Sequence, residues 1–258
     1  MFRQCKICGG AVTPRHTVSS ITYYHCSSCD FLQNYHWEDH HFSAPEQAVA
    51  NDEARADRWP AGKKKDMYEA GWRMLELLTS PIAWGSRKVH NVFKIIPGYT
   101  HLTRTLAKRR LKRVLDFGCG HGVSVLEIRN RDGIDIIGLD PYSPTASPHI
   151  VRKPIHDANL EPESLDAIIS VETMEHISDV LPTFRALHRI LRPGAALLIQ
   201  THRLEDPGYI RDQDKWFYLK DPKTHVSIYS DRALDEIAKR TGFSRAETRD
   251  IRTARLWK

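Results

Sequence analysis

The chain has 258 residues, of which 41% are hydrophobic and 27% charged, and its 38 Lys and Arg against 32 Asp and Glu give a formal net charge of +6. That length suits one large domain or a core with a small appendage. Mean hydropathy is negative, and no window approaches the roughly 18 consecutive apolar residues of a membrane helix, so the sequence is not that of a membrane-spanning protein.

The first 20 residues lack the apolar stretch of a secretory signal and carry two cysteines instead. The expected location is therefore the cytosol, where thiols stay reduced. Cys5-x2-Cys8 and Cys26-x2-Cys29 are two knuckles separated by 17 residues, a spacing suited to a tetrahedral zinc ribbon. Gly9-Gly10 supplies a permissive turn after the first pair, and Val18 to Tyr24, rich in β-branched and aromatic residues, predicts a hairpin between the knuckles. A module of about 40 residues cannot bury a large core, and a bound metal supplies the missing stability. Four thiolates leave no open coordination position, so the expected zinc is structural, held by Cys5, Cys8, Cys26 and Cys29. A redox dithiol pair and simple buried cysteines are the competing readings. His36, His40 and His41 follow, and read as a solvated or cofactor-adjacent loop. Residues 1–42 form the expected ribbon domain.

Residues 43–112 are expected to be a helical linker and cofactor lid. Pro45 to Pro60 is polar and acidic; after Lys63-Lys64-Lys65, the residues Tyr68, Trp72, Leu75 and Leu78 recur at helical spacing before Pro81. A second helical stretch, Tyr99 to Lys112, carries Arg104, Lys108, Arg109, Arg110 and Lys112, with Arg113 just beyond.

From residue 113 the pattern alternates strand and helix, which predicts a parallel sheet. Strands are expected at 113–118, 135–140, 149–153, 165–171 and 195–201, and helices at 122–131, 179–191 and 231–240, with Asp179 as a cap and Pro193-Gly194 as a terminator. Arg245 to Trp257 alternates well enough for two closing strands, and His202 to Ser230 is a long insertion at a strand end. The glycine loop decides the ligand. Val114 to Phe117 is a strand ending in Gly118-Cys119-Gly120-His121-Gly122, and Ile136 to Leu139 ends in Asp140. This is a βαβ nucleotide site whose G-x-G-x-G spacing departs from the dinucleotide G-x-G-x-x-G. Asp140 at a strand tip suits ribose hydroxyls. Asp116, beside the turn, would repel a pyrophosphate and attract an ammonium or sulfonium. S-adenosylmethionine meets those requirements.

The block Val114 to Thr201 resembles the class I S-adenosylmethionine-dependent methyltransferases. Matching pieces are Ile155-His156-Asp157-Ala158, Leu165 to His176 and Arg189 to Ile199. The resemblance implies a seven-stranded, mostly parallel Rossmann-like α/β sheet with helices on both faces, occupying residues 113–258. It further implies that Gly118 and Gly120, with Cys119 and Gly122 in the same loop, cradle the methionine arm, and that Asp116 organises its ammonium. Asp140, followed by Pro141, would hold the ribose, Asp157 and Ala158 would border the adenine, and Glu172 to His176 would close the site at the end of the fourth strand.

Thr224-His225-Val226-Ser227-Ile228-Tyr229-Ser230 is similar to a glutamate-histidine stretch of bacterial sugar C-methyltransferases, as is Cys29-Asp30-Phe31-Leu32-Gln33 after the second knuckle. That likeness implies His225 as a base drawing a proton from a keto-sugar-like acceptor; Thr224 stands where that family has glutamate. His176 is a second catalytic candidate. The expected function is methylation of a small-molecule acceptor, with no membrane partner. The alternatives are a zinc-ribbon RNA methyltransferase, favoured by the basic stretch before residue 113, and a non-catalytic binding protein.

Overall fold

A computed structural model describes residues 3–40, 110–248 and 252–258. The linker, the aromatic stripe of Tyr68 to Leu78, His41 and all of the basic stretch before Arg110 lie outside those residues. Among the described residues, no helix is long and apolar enough to cross a membrane. Two compact units are present, one made of described residues 3–40, 170–189, 199–248 and 252–258, the other of 110–169 and 190–198.

The first unit begins with β1 (Thr13–Val18), β2 (Ile21–Cys26) and β3 (Phe31–Gln33), an antiparallel meander followed by a short helix α1 (His36–His40). The predicted hairpin forms, turning at Ser19 and Ser20, both with positive φ. In the other unit, β4 (Arg113–Phe117), α2 (Val123–Asp132), β5 (Asp135–Leu139) and the two-residue β6 (Ile150–Val151) form parallel pairings, and β7 (Leu165–Val171) pairs with the opposite edge of β4. Val114, Leu115, Ile136, Leu139 and Ile168 are all fully buried, the continuous apolar run expected of parallel strands covered on both faces.

Helix α3 (Val180–Ile190) buries Val180, Phe184, Leu187 and Ile190 at helical spacing. It ends at Ile190, just ahead of Pro193-Gly194 as expected, and hands over directly to β8 (Leu191–Gln200), which begins earlier than the expected residue 195. Proline is tolerated there because Arg192, Pro193 and Gly194 form an exposed strand start. The insertion contains α4 (Pro207–Asp212), capped by the Asp206 carboxylate accepting from the Gly208 amide, and β9 (Ser227–Ile228). Then α5 (Asp231–Thr241) starts at Ser230, whose hydroxyl accepts from the Ala233 amide, and stops at Gly242 with φ of 93°. The tail forms the two expected closing strands, β10 (Arg245–Thr248) and β11 (Thr253–Trp257), which pair antiparallel.

The main sheet has seven strands in the order β10-β11-β8-β7-β4-β5-β6. The α/β architecture read from the sequence is the one observed. Chain direction across the sheet reverses at β4, which makes the carboxyl end of β4 the topological switch point where such sheets bind ligands. A second sheet, β1-β2-β3-β9, joins the N-terminal meander to the insertion. Tyr23 and Leu32 from the meander pack in one buried cluster with Leu204, Tyr209, Trp216, Tyr218, Leu219 and Ile228.

Candidate functional site

At the end of β4 the chain turns through Gly118, Gly120 and Gly122, all left-handed with φ of 77°, 53° and 67°, a conformation that side-chain-bearing residues rarely adopt. A Cβ on Gly122 would stand 2.2 Å from Ile150 Cδ1, the tip of a buried side chain that would have to shift. The Cys119 thiol packs against Gly138, where a Cβ would come within 2.5 Å of its Sγ. Burial pushes this thiol up, which leaves it neutral and makes it a packing group.

Two of the predicted acids, Asp116 and Asp140, flank this turn. Asp116 is buried on β4 and accepts from the Ser124 hydroxyl at 2.8 Å. Burial, with a smaller contribution from the charge of Asp140, pushes its carboxyl up to about 6. Asp140 accepts from the Gly120 amide at 2.9 Å and from the Tyr142 amide, just beyond Pro141, at 2.8 Å. A carboxylate has about four acceptor positions, so these two bonds shape the loop and leave acceptor capacity on both oxygens. Asp157 is exposed in a single 3-10 turn, Ile155–Asp157, that ends at Ala158.

The first unit gathers a different set. Glu172, at the end of β7, has a φ of 47°, an uncommon strain for a non-glycine residue. Burial and then the nearby Glu175 push its carboxyl up to about 7. Glu175 is 1% exposed, and its Oε2 accepts from the Thr201 hydroxyl at 2.8 Å. The Tyr218 hydroxyl lies 2.9 Å from Thr201 Oγ1 and donates to Glu172 at 3.2 Å. His176 Nδ1 lies 2.9 Å from the Thr224 carbonyl, and His225 Nδ1 lies 2.6 Å from the Tyr218 carbonyl. A carbonyl only accepts, so in both rings Nδ1 carries a proton, and in the neutral form Nε2 holds the lone pair. The two imidazoles are 4.9 Å apart between centroids, and Tyr218 lies 4.3 Å from His225. Burial pushes the basicity of His225 down, so it stays neutral near pH 7.

The segment carrying His225 is held by the N-terminal meander. Tyr23 donates its hydroxyl to the His225 carbonyl at 2.7 Å, the Asn34 side chain donates to the Pro222 carbonyl at 2.8 Å, and the Trp37 indole donates to the Lys223 carbonyl at 2.6 Å. Strand β3 pairs with β9 immediately after it. Thr201, Tyr218, Tyr23 and Asn34 carry no sequence motif and were not among the predicted site residues.

Cys5 Sγ lies 3.5 Å from Cys29 Sγ and Cys8 Sγ 3.4 Å from Cys26 Sγ, with all four sulfurs within 4.8 Å of one another. The Ile7 and Gly10 amides donate to Cys5 and Cys8, both at 3.4 Å. A tetrahedron with metal–sulfur bonds of about 2.3 Å has edges of roughly 3.8 Å, so the spacing and the amide bonds fit a tetrathiolate ion site.

The model of a methyltransferase domain matches residues 90–247, more than half of the chain. The chain belongs to the methyltransferase-domain family. The chain is 26% identical over 175 residues to the human mitochondrial ubiquinone biosynthesis O-methyltransferase, covering 60% of this chain and 46% of that protein. It is 34% identical over 103 residues to the Hahella chejuensis ubiquinone biosynthesis O-methyltransferase, covering 35% and 43%. It thus spans about half the length of the curated relatives it matches. Among solved structures, a Haloferax volcanii methyltransferase in complex with the Trm112 methyltransferase activator aligns at 17% identity and a TM-score of 0.46, covering 74% of this chain and 77% of that one. The family match, together with the left-handed glycine turn, gives this chain a class I S-adenosylmethionine-dependent methyltransferase domain.

Proposed function

We propose that the methyltransferase methylates an oxygen of a small-molecule acceptor, and that the proton of that oxygen is removed at the Glu175–His176–His225 cluster. The carrying observation is the tautomer of His225: its Nδ1 is tied to the Tyr218 carbonyl, so Nε2 presents a lone pair in a ring that is neutral at working pH. Acting alone, Nε2 of His225 is the base, and His176 orients the acceptor beside it. The O-methyltransferase activity in the names of the relatives favours oxygen over the enolised carbon that a sugar C-methyltransferase would attack.

Asp116 would neutralise the ammonium of S-adenosylmethionine, while Gly118 to Gly122 would let the backbone approach its methionine arm. Asp140 would take the ribose hydroxyls, Asp157 and Ala158 would border the adenine, and Glu172 would border the cofactor from the end of β7. Transfer forms the oxygen–carbon bond as the sulfur–carbon bond breaks toward sulfur, so alignment supplies much of the rate. Zinc would sit among Cys5, Cys8, Cys26 and Cys29 in a structural role, and needs the reduced thiols of a cytosolic compartment.

Replacing His225 with alanine is expected to lower turnover by roughly 10²–10⁴-fold with cofactor affinity unchanged by calorimetry. Full turnover in that variant would remove His225 from the chemistry. Deuterium exchange of an acceptor carbon–hydrogen bond without methylation would restore the carbon reading. RNA remains the competing acceptor because of the basic run Arg104 to Arg113; tight RNA binding that falls with salt at a slope near roughly −0.7 per neutralised phosphate would establish it.

A further inference from the structure

We propose that Glu175, His176 and His225 hold a divalent transition-metal cation, separate from the four-cysteine cluster. One donor atom from each of the three lies within 4.8 Å of the other two, and His176 Nε2 is 3.8 Å from Glu175 Oε1. Two imidazoles and one carboxylate form the donor set of catalytic zinc and of open iron(II) sites.

Every donor residue is oriented by a further partner, as metal ligands generally are. Thr201 donates to Glu175 Oε2, while the Thr224 and Tyr218 carbonyls hold the Nδ1 protons of His176 and His225. Each imidazole, in its neutral form, therefore offers Nε2 as a donor atom. Glu175 Oε1 is the decisive atom. It is buried and has no hydrogen-bond partner among the described residues. A buried acceptor without a partner is destabilising, and a cation removes that cost. The edges of a tetrahedron around zinc are roughly 3.3 Å for bonds of about 2.0–2.1 Å, so modest side-chain rotation closes the site.

Three protein ligands leave positions open for an acceptor oxygen. The inference rests on the reading that the acceptor is deprotonated at this cluster, and it changes the agent. An acceptor hydroxyl bound to the ion loses its proton to water; the resulting oxygen anion then attacks the methyl carbon, and the sulfonium leaves as a thioether. His225 serves as a ligand in that arrangement.

The test is a manganese titration of the full chain, followed by loss of the free-ion paramagnetic resonance signal. Manganese is the probe because soft thiolates select other metals. The expected result is one manganese ion per chain, bound at least about tenfold more weakly in His176→Ala and His225→Ala, since loss of even an outer partner costs 10–100-fold. His176 is 37% exposed, so its variant is expected to fold, with circular dichroism as the check. In chelated protein whose four-cysteine cluster has been refilled with one equivalent of zinc, turnover should stay low and rise when manganese is added. Absence of manganese binding, or binding equal in wild type and His176→Ala, overturns the site. Full turnover after chelation overturns the ion's catalytic role and leaves His225 as direct base. Intact manganese binding together with wild-type turnover in His225→Ala overturns both the ligand set and the acceptor reading.

Discussion

The hydroxyl of Tyr23, on the second strand of the N-terminal meander, donates at 2.7 Å to the backbone carbonyl of His225. Residues more than 200 positions apart in sequence thus meet where the candidate chemistry lies. The meander is therefore a support for the His225 segment as well as a cysteine module.

Tyr23→Phe removes one donor and leaves the His225 carbonyl with only the longer bond from Asn34 Nδ2, at 3.4 Å. A loss of about 1 kcal/mol in stability is expected, with lower turnover and unchanged cofactor affinity. Chemical denaturation, steady-state rates and calorimetry give the three readouts. A variant with wild-type turnover would show that the bond positions nothing of consequence.

Cys26→Ser is expected to release the metal of the four-cysteine cluster and loosen the meander. Because β3 pairs with β9 through Leu32–Ile228 and Gln33–Ser227, activity should fall with the metal while S-adenosylmethionine still binds. Metal analysis alongside calorimetry checks this, and an active zinc-free protein would contradict it.

Asp116 carries the pH dependence. Its folded pKa, about 6 against an ordinary 3.8, is raised by burial, so the native state holds that proton more tightly than the unfolded chain. The stabilising contribution is fully present below about 3.8 and is lost as pH rises through about 6, a cost of roughly 3 kcal/mol at neutral pH. A cofactor ammonium needs the ionised form. Binding should therefore tighten as pH rises through 6, with protons released near that value, as calorimetry in two buffers would detect. Asp116→Asn should raise the melting temperature at pH 7 and weaken cofactor binding. A variant that loses stability at pH 7 would refute the assignment.

Asp140→Ala removes the carboxylate that accepts from Gly120 and Tyr142, as well as the proposed ribose bonds. Cofactor affinity should fall by about 1–3 kcal/mol. A larger loss, accompanied by increased amide exchange at Gly120, would show that loop shaping is the greater part of its role.

The sequence by itself determined the pieces whose chemistry is local. Two Cys-x2-Cys turns, a glycine loop after an apolar strand and an acid at the next strand tip each lie within a few residues of their own effect, and the strand-helix alternation follows from burial pattern alone. Only the tertiary structure decided that the two residues of β9 complete the meander sheet, since Ser227 and Ile228 are too few to show any periodicity. The same holds for Thr201, Tyr218, Tyr23 and Asn34 around the two histidines. Their roles depend on which carbonyl or carboxylate they meet across long chain separations. Those meetings follow from packing of Tyr23, Leu32, Trp216 and Ile228 into one core, a cooperative outcome with no local signature.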